Sequence, residues 1–596
     1  MRLTRSSALL YISLCFLLVV MTISNTGCTD ILERGLAAPP QPDGEYGEED
    51  TEGLVEENGK DNATSGLDGD NPAPVEEPQT ISPIPPQDEQ QKETDEAQRR
   101  EALGSFYVPL PKEPRDNPPV KARGIYVTGH SVTHSRYPGL LEMVESTELN
   151  TMVIDVKADD GLMSYPSEIA IVNEVKADRR VPVNDMAAVL ADLKERDIYT
   201  IARVVVFRDP YLAEQRPDWA IQRIGGGTWY DRKGKAWVDP YERNVWQYNI
   251  AIAQEAALLG FREIQFDYVR FPENAATLDR DAFYPAQDHL EKDELIRDFI
   301  IEAAEALAPY DVYISADVFG VIATSWGDSD RIGQTWEMIS PYVDYICPMV
   351  YPSHYGPGYF GFAVPDARPG ETVHHAIRDS LRRNAPLENP AIIRPWLQNF
   401  TASWIRGNIA YGPREIRAQI EAAYALGIDE YLLWNANNRY QPASLISEAE
   451  SDARFRELAR AREDGGLDAL GRTAQEAVEI YLEAVRRGNW REAYALQGDT
   501  NGRNFQNYTA WRDEWTHRPA DFHVEALTSG RDDPAAGQTM LVDVEMRSGN
   551  DVFKLFRDDG WDVKMVNTLW RVTPSPAFLE LLVYDGGTLA YWPASY

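Results

Sequence analysis

Cysteine is nearly missing from this 596-residue chain: Cys15, Cys28 and Cys347 are the only three. Two of them sit close to the N-terminus, so no disulfide framework can be built. Basic residues are scarce as well, 58 Lys and Arg against 95 Asp and Glu, for a net charge of −37. Charge of that sign repels phosphate backbones and anionic lipid surfaces, which argues against a nucleic-acid partner. The apolar run at 8–23 has only 16 residues, short of the about 20 that a membrane crossing needs. There is no His-Glu-x-x-His motif, no Gly-x-Ser-x-Gly elbow and no phosphate-binding loop. No metal and no cofactor are therefore expected. His130 and His134 share an i, i+4 spacing, but in a loop after the first strand, which disfavours a metal pair. Core-forming residues are plentiful, with 43% hydrophobic and 11% aromatic, enough for a large buried interior.

The apolar run follows Arg2 and Arg5 and ends at Asn25-Thr26-Gly27-Cys28. Its length and flanks are those of a signal peptide, residues 1–27. The small residue before Cys28 resembles the bacterial lipoprotein cleavage box, which would make Cys28 the acylated first residue. Ordinary cleavage, or none, is the alternative. Residues 30–105 carry 21 acidic and 5 basic residues, nine prolines and one aromatic, Tyr46. Such a stretch buries too little apolar surface to offset its ordering entropy. A disordered acidic tether over 28–105 is expected. An exported protein follows, held on a membrane only through its anchor, or else secreted.

From Arg123 the pattern becomes regular. Short β-branched runs at 124–128, 152–157, 199–207, 263–271, 312–318, 345–350, 391–398 and 430–434 alternate with amphipathic stretches such as 185–196, 244–259, 290–307 and 413–426. Eight alternations predict an α/β fold, a (β/α)8 TIM-type barrel within 106–462. A doubly wound open sheet is the fallback, although no glycine-rich turn follows its first strand. Side-chain parity supports the barrel. Ile264 and Phe266 alternate with Gln265 and Asp267; Ile314, Ala316 and Val318 alternate with Ser315 and Asp317. The polar set should face the interior and gather at the strands' C-terminal ends, where barrel active sites lie.

By this parity the mouth collects Asp155, Asp267 and Asp317 with Lys157, Arg203 and Arg394, under a rim of Tyr126, Tyr351, Trp396, Gln398 and Trp434. Two carboxylates across a cleft are the minimum for glycoside hydrolysis. Asp267, beside Arg203, would stay ionised as nucleophile; Asp317, in a drier spot near Trp326, would keep its proton as the acid. The other reading is a structural ion-pair network. Long loops at 208–240, with Trp219, Trp229, Tyr230 and Trp237, and at 352–370, with His354, Tyr355, Tyr359 and Phe360, would build the cleft. Cys347 is expected to be an inert buried thiol.

The motifs that carry a resemblance are Asp155-Val156-Lys157-Ala158-Asp159-Asp160-Gly161, Arg203-Val204-Val205-Val206-Phe207-Arg208-Asp209-Pro210 and Trp237-Val238-Asp239-Pro240, with Glu263-Ile264-Gln265-Phe266-Asp267-Tyr268-Val269-Arg270-Phe271-Pro272, Ser315-Ala316-Asp317-Val318-Phe319-Gly320 and Pro348-Met349-Val350-Tyr351-Pro352-Ser353-His354-Tyr355. Together they resemble the bacterial glycoside-hydrolase-like barrel family from about Arg123 to Tyr440. An aspartate ending strand four and an acid ending strand five also resemble alpha-amylase-like glycosidases, which implies Asp267 as nucleophile and Asp317 as acid. The amylase acid is usually a glutamate, and no third aspartate follows strand seven. Met349-Val350-Tyr351 and Trp434 look similar to chitinase-like barrels, whose Asp-x-x-Asp-x-Asp-x-Glu strand is absent here. The resulting candidates are Asp267 and Asp317 for catalysis. Asp155, Lys157, Asp160, Arg203, Arg270, Tyr351, His354, Trp396, Gln398, Trp434 and Asn435 are the candidates for contact with a carbohydrate substrate.

After the charged helix 451–462, Asp464-Gly465-Gly466 reads as a linker. An amphipathic helix at 474–487, a second at 490–494, and strands at 523–528, 539–547, 553–558 and 561–573 resemble an NTF2-like α+β module over 468–596. The expectation is a cell-envelope glycosidase with an accessory domain; the alternative is a catalytically silent glycan-binding or structural lipoprotein.

Overall fold

The computed structural model describes residues 86–487 except 326, 329, 386, 388 and 469; beyond 487 it describes 493, 496, 497, 521–533, 537–548, 551–566, 569–575 and 578. The signal segment, Cys28, Trp326 and the tether before residue 86 lie outside the described residues. Eight parallel strands form the centre: β1 (Arg123–Val127), β2 (Thr151–Lys157), β3 (Tyr199–Val205), β4 (Glu263–Asp267), β5 (Tyr313–Phe319), β6 (Tyr345–Met349), β7 (Ile392–Ile393, resuming as Trp396–Gln398) and β8 (Tyr431–Trp434). Each pairs with its neighbours in chain order. β8 returns to β1, and β6 closes onto β7 through Tyr345↔Ile392 and Trp396↔Met349. The result is a closed (β/α)8 barrel. The interruption of β7 falls at Arg394-Pro395, where proline has no N–H to donate; the Pro395 carbonyl still accepts from Leu432 N at 2.9 Å.

The alternation read from the sequence becomes two separate cores. Outward residues, Met152, Ile154, Val156, Ala202, Val204, Ile264, Phe266, Ile314, Ala316 and Val318, join the main cluster under the helices. Inward residues, including Tyr126, Val153, Ile201, Tyr345, Cys347, Tyr351, Trp396 and Leu432, form a second cluster inside the barrel. The outer layer includes α1 (Met186–Glu195), α2 (Arg243–Leu259), α3 (Lys292–Leu307), α4 (Pro369–Asn384) and α5 (Pro413–Ala425). Their ends are fixed locally. Asp185 caps α1 by accepting from Ala188 N, and Glu291 and Glu294 form a capping box at α3.

Three boundaries differ from the sequence reading. β4 stops at Asp267 and does not run on to 271, because Tyr268 takes a left-handed φ of 49°, a conformation that ends a strand. Within the expected tether, Pro86–Leu103 is an 18-residue helix. The run is rich in Glu, Gln, Arg and Ala, all strong helix formers, so local propensity supplies order where no apolar core can. In the C-terminal module the 561–573 strand is two, Asp551–Val566 and Leu569–Thr573. With Asp521–Asp533 and Gly537–Ser548 they make a four-stranded antiparallel sheet. The expected helix at 474–487 is present, and Val478, Tyr481 and Val485 pack with Trp561, Val563 and Val572. The second helix at 490–494 falls almost wholly outside the described residues.

Candidate active site

The mouth is organised around one guanidinium. Arg203 on β3 is buried and donates Nη1 to Asp155 Oδ1 at 2.7 Å, Nη2 to Asp159 Oδ1 at 2.8 Å, and Nε and Nη2 to Asp267 Oδ2 at 2.9 and 2.5 Å. The register explains the convergence. Asp155 and Gln265 both pair with Arg203, so β2, β3 and β4 present these positions side by side. The second oxygen of Asp267 accepts from Tyr268 N at 2.6 Å, a bond made possible by the left-handed turn. Tyr126 Oη donates to Asp155 Oδ2 at 2.6 Å. Burial pushes the Asp155 carboxyl up to about 6 against the pull of Arg203. For Asp159 burial acts in the same sense, but Arg203 and Arg208 outweigh it and hold its carboxyl below the ordinary range.

Asp317 lives differently. It lies on β5 one step beyond the Phe266↔Ala316 pair, hence beside Asp267. Among the described residues no cation bonds it; Trp396 Nε1 donates to its Oδ1 at 2.7 Å. Burial, reinforced by the neighbouring charge of Asp267, raises its carboxyl well above the usual carboxylate range. Trp396 is thus the tryptophan bonded to Asp317; Trp326, which the sequence reading placed nearby, lies outside the described residues. Trp434 lies against Trp396 edge-on and stacks on Tyr126 at 4.1 Å, while Arg203 sits 5.3 Å from its ring. Tyr351, buried, lies near both Asp317 and Asp267 and meets His354 edge-on at 5.0 Å. Burial lowers the His354 imidazole to about 4.

Several expected members lie elsewhere. Lys157 does not face the mouth. Asp155 pairs with Arg203, yet Lys157 pairs with Val204, so an extra residue at Val156 bulges the strand and reverses the parity beyond it. Lys157 points outward to Asp209 at 2.7 Å and to the Tyr248 ring at 5.1 Å, fully buried. Gly161 has φ 83°, and a Cβ there would collide with Asp209, so the turn after β2 needs glycine to admit this pair. Arg394 sits at the opposite, N-terminal end, between Glu263 at 2.8 Å and Glu430 at 2.9 Å. Gln398 shares the inward parity but is buried under loops, donating to Asp366 and the Phe400 carbonyl and accepting from Ser353 N. Asn435 likewise ties down backbone, donating to the Asn399 and Arg439 carbonyls. Asp160 is exposed and accepts from Leu162 N in its own turn. Arg270 is buried against Trp237, Tyr268 and Phe319 and paired with Glu273 at 2.8 Å. Cys347 is buried inside the barrel and receives Gln265 Nε2 at 3.4 Å. Trp219, Trp229 and Trp237 belong to the main core. The sequence reading missed Asp159 and Arg208, which extend the Arg203 network outward. Both lie one or more residues past a strand end, where strand parity no longer assigns a direction.

Residues 124–440 match the family described as "Putative glycosyl hydrolase domain". No curated protein matches the chain. Among solved structures, a hypothetical protein from Ruminiclostridium thermocellum is 36% identical over 33% of this chain and 97% of that one, with a TM-score of 0.30. The glycoside hydrolase domain of PgaB (BpsB) from Bordetella bronchiseptica is 14% identical over 56% and 98%, TM-score 0.38. A chitinase from Chromobacterium violaceum is 11% identical over 56% and 99%, TM-score 0.33.

Proposed function

The chain belongs to the glycosyl hydrolase domain family that it matches over 124–440, and from that premise we propose that it is a glycosidase with Asp267 as nucleophile and Asp317 as general acid. The observation that carries the assignment is the unequal surroundings of two adjacent carboxyls. Asp267 accepts from Arg203 and from Tyr268 N; Asp317, among the described residues, accepts an indole N–H and no cation, and is raised by burial. Environments that push two neighbouring acids apart mark an acid and a base.

In this mechanism Asp267 attacks the anomeric carbon while Asp317 protonates the departing glycosidic oxygen. Water, deprotonated by Asp317, then displaces Asp267 and releases the sugar with its configuration retained. Asp267 and Asp317 stand at neighbouring register positions of adjacent strands, which supports a nucleophile and an acid acting on one bond. Asp155, held by Tyr126 and Arg203, orients the guanidinium; Trp434, Trp396 and Tyr351 wall the sugar site. Release of reducing ends from a glycan panel, with the first-formed anomer followed by NMR, tests the proposal. Binding without release would leave a glycan-binding barrel in its place.

The proposal extends to the cell envelope. The apolar run at 8–23 and the box ending at Cys28 support an exported, lipid-anchored chain with an acidic tether, and the helix-plus-sheet module after 468 supports an NTF2-like accessory domain. Cys28→Ser should shift the protein from the detergent-extracted to the soluble or unprocessed fraction; unchanged fractionation and processing would remove the anchor.

A further inference from the structure

Two groups of exposed apolar side chains lie in connections that leave opposite strands of the barrel. The first is a flap built from the connections after β3 and β4. Gln222–Arg223 pairs antiparallel with Ala282–Phe283, and Tyr230 pairs back onto Ala236. The flap leaves Ile224, Tyr230 and Phe283 63%, 39% and 47% exposed. Large apolar groups held in water by an ordered sheet mark a binding surface more often than a core.

The second group lies in the connection after β7. Trp404 is 43% exposed and stacks on Phe400, with rings 6.0 Å apart and 20° from parallel. Phe400 in turn meets buried Tyr351 at 6.1 Å, and Tyr351 lies by Asp317 and Asp267. A continuous aromatic path thus leads from the carboxyls out to solvent. β3 and β7 are four strands apart in either direction around the closed barrel. The two connections therefore leave opposite strands of the mouth.

We propose that the mouth binds a linear polysaccharide as an extended chain crossing the barrel from the flap after β3 to Trp404 after β7, so that cleavage falls inside the chain and not at its end. The flat C–H faces of pyranose rings are apolar and lie well on aromatic rings, while their edges keep hydroxyls in water. One platform would suffice for an exo-acting pocket; two opposed platforms give sugar-binding positions on both sides of the reacting bond. With Asp317 holding its proton, the centre still carries Asp155, Asp159 and Asp267 against Arg203 and Arg208, an excess of carboxylates that disfavours uronic acids. The chain is one of neutral or amino sugars. The inference rests on the proposed function only for where the bond breaks.

The test measures binding and cleavage separately. Native protein is applied to an array of neutral and amino oligosaccharides of two to ten residues, beside Trp404→Ala, Tyr230→Ala, the conservative Trp404→Phe and the outer-helix control Leu258→Ala. Native protein should gain affinity stepwise up to about six residues. Trp404→Ala and Tyr230→Ala should each weaken binding of the long glycans about tenfold, with Trp404→Phe restoring most of it and Leu258→Ala changing nothing. Affinity independent of length, no array binding at all, or both alanine variants binding like native protein would overturn the proposal. Length-dependent binding without turnover would instead remove the glycosidase reading and leave this one standing. Turnover that yields only single sugars from one chain end would overturn the internal cleavage.

Discussion

The barrel holds two buried arginines at its two ends, and they keep different company. At the N-terminal end Arg394 lies between Glu263 and Glu430, its guanidinium 3.5 Å from the Tyr345 ring. Glu263 also accepts from Tyr199 Oη, and Glu430 from Ala122 N. The segment before β1 seals that end, with Arg115 donating to the Phe261 and Gly260 carbonyls. At the C-terminal end Arg203 serves three aspartates, while a fourth, Asp317, has an indole and no cation among the described residues. At the base both carboxylates bond the one guanidinium; at the mouth one of the four aspartates, Asp317, bonds no cation among the described residues. Buried ion pairs add little net stability, so a buried carboxyl set beside another at the C-terminal end, with no cation bonded to it among the described residues, is a mark of chemistry at the end where such barrels place their active sites.

Mutations at the two ends should therefore separate activity from stability. The largest effect is expected from Asp267→Asn, which should lower turnover roughly ten-thousandfold, because an amide cannot form the glycosyl ester. Its melting temperature should stay near native, since Arg203 keeps Asp155 and Asp159; a large drop with activity preserved in the folded fraction would make the mouth structural like the base. Glu263→Gln is the mirror image. It strips Arg394 of its doubly bonded partner and should cost about 3–5 kcal/mol in denaturant unfolding, with specific activity of the folded protein intact. Asp317→Asn should slow cleavage of unactivated glycosides roughly 10²–10⁴-fold and spare activated aryl glycosides, whose leaving group departs with little protonation. Equal losses on both substrates would count against the acid assignment.

The smallest effect concerns a buried carboxyl that belongs to neither end. Glu255 on α2 accepts from Ser167 Oγ and Glu168 N, and burial pushes it up to about 7 from an ordinary 4.5. A raised folded value means the native state holds the proton more tightly. Its stabilisation is therefore complete below pH 4.5 and lost as pH rises through about 7. Glu255→Gln should flatten the stability profile between pH 4.5 and 7, by at most about 3 kcal/mol at its upper end. A variant profile parallel to native would remove that residue from the pH response.

The eight strands, the amphipathic helices and the interior placement of Asp155, Arg203, Asp267 and Asp317 were legible in the sequence, because period two and period 3.6 survive in apolar spacing. What misled was whatever breaks a period. Lys157 reads as inward until a bulge is known, and a bulge leaves no mark in composition. Arg394 reads as a mouth residue because its strand is interrupted by Pro395, which hides where along the barrel axis it falls. The left-handed turn at Tyr268 and the loop aromatic Trp404 were beyond the reach of pattern, since neither lies in a repeating element.

The bulge at Val156 also makes the direction of the lysine indifferent to chain length. Between Asp155 and Lys157 stands one residue more than the opposite strand supplies. Deleting Val156 would restore the regular ladder and leave the ammonium opposite Val204, still turned to the helix layer where Asp209 lies. The charge of the mouth is thus insulated from a loss of three nucleotides at this point, which would shorten the strand without adding a cation to the barrel.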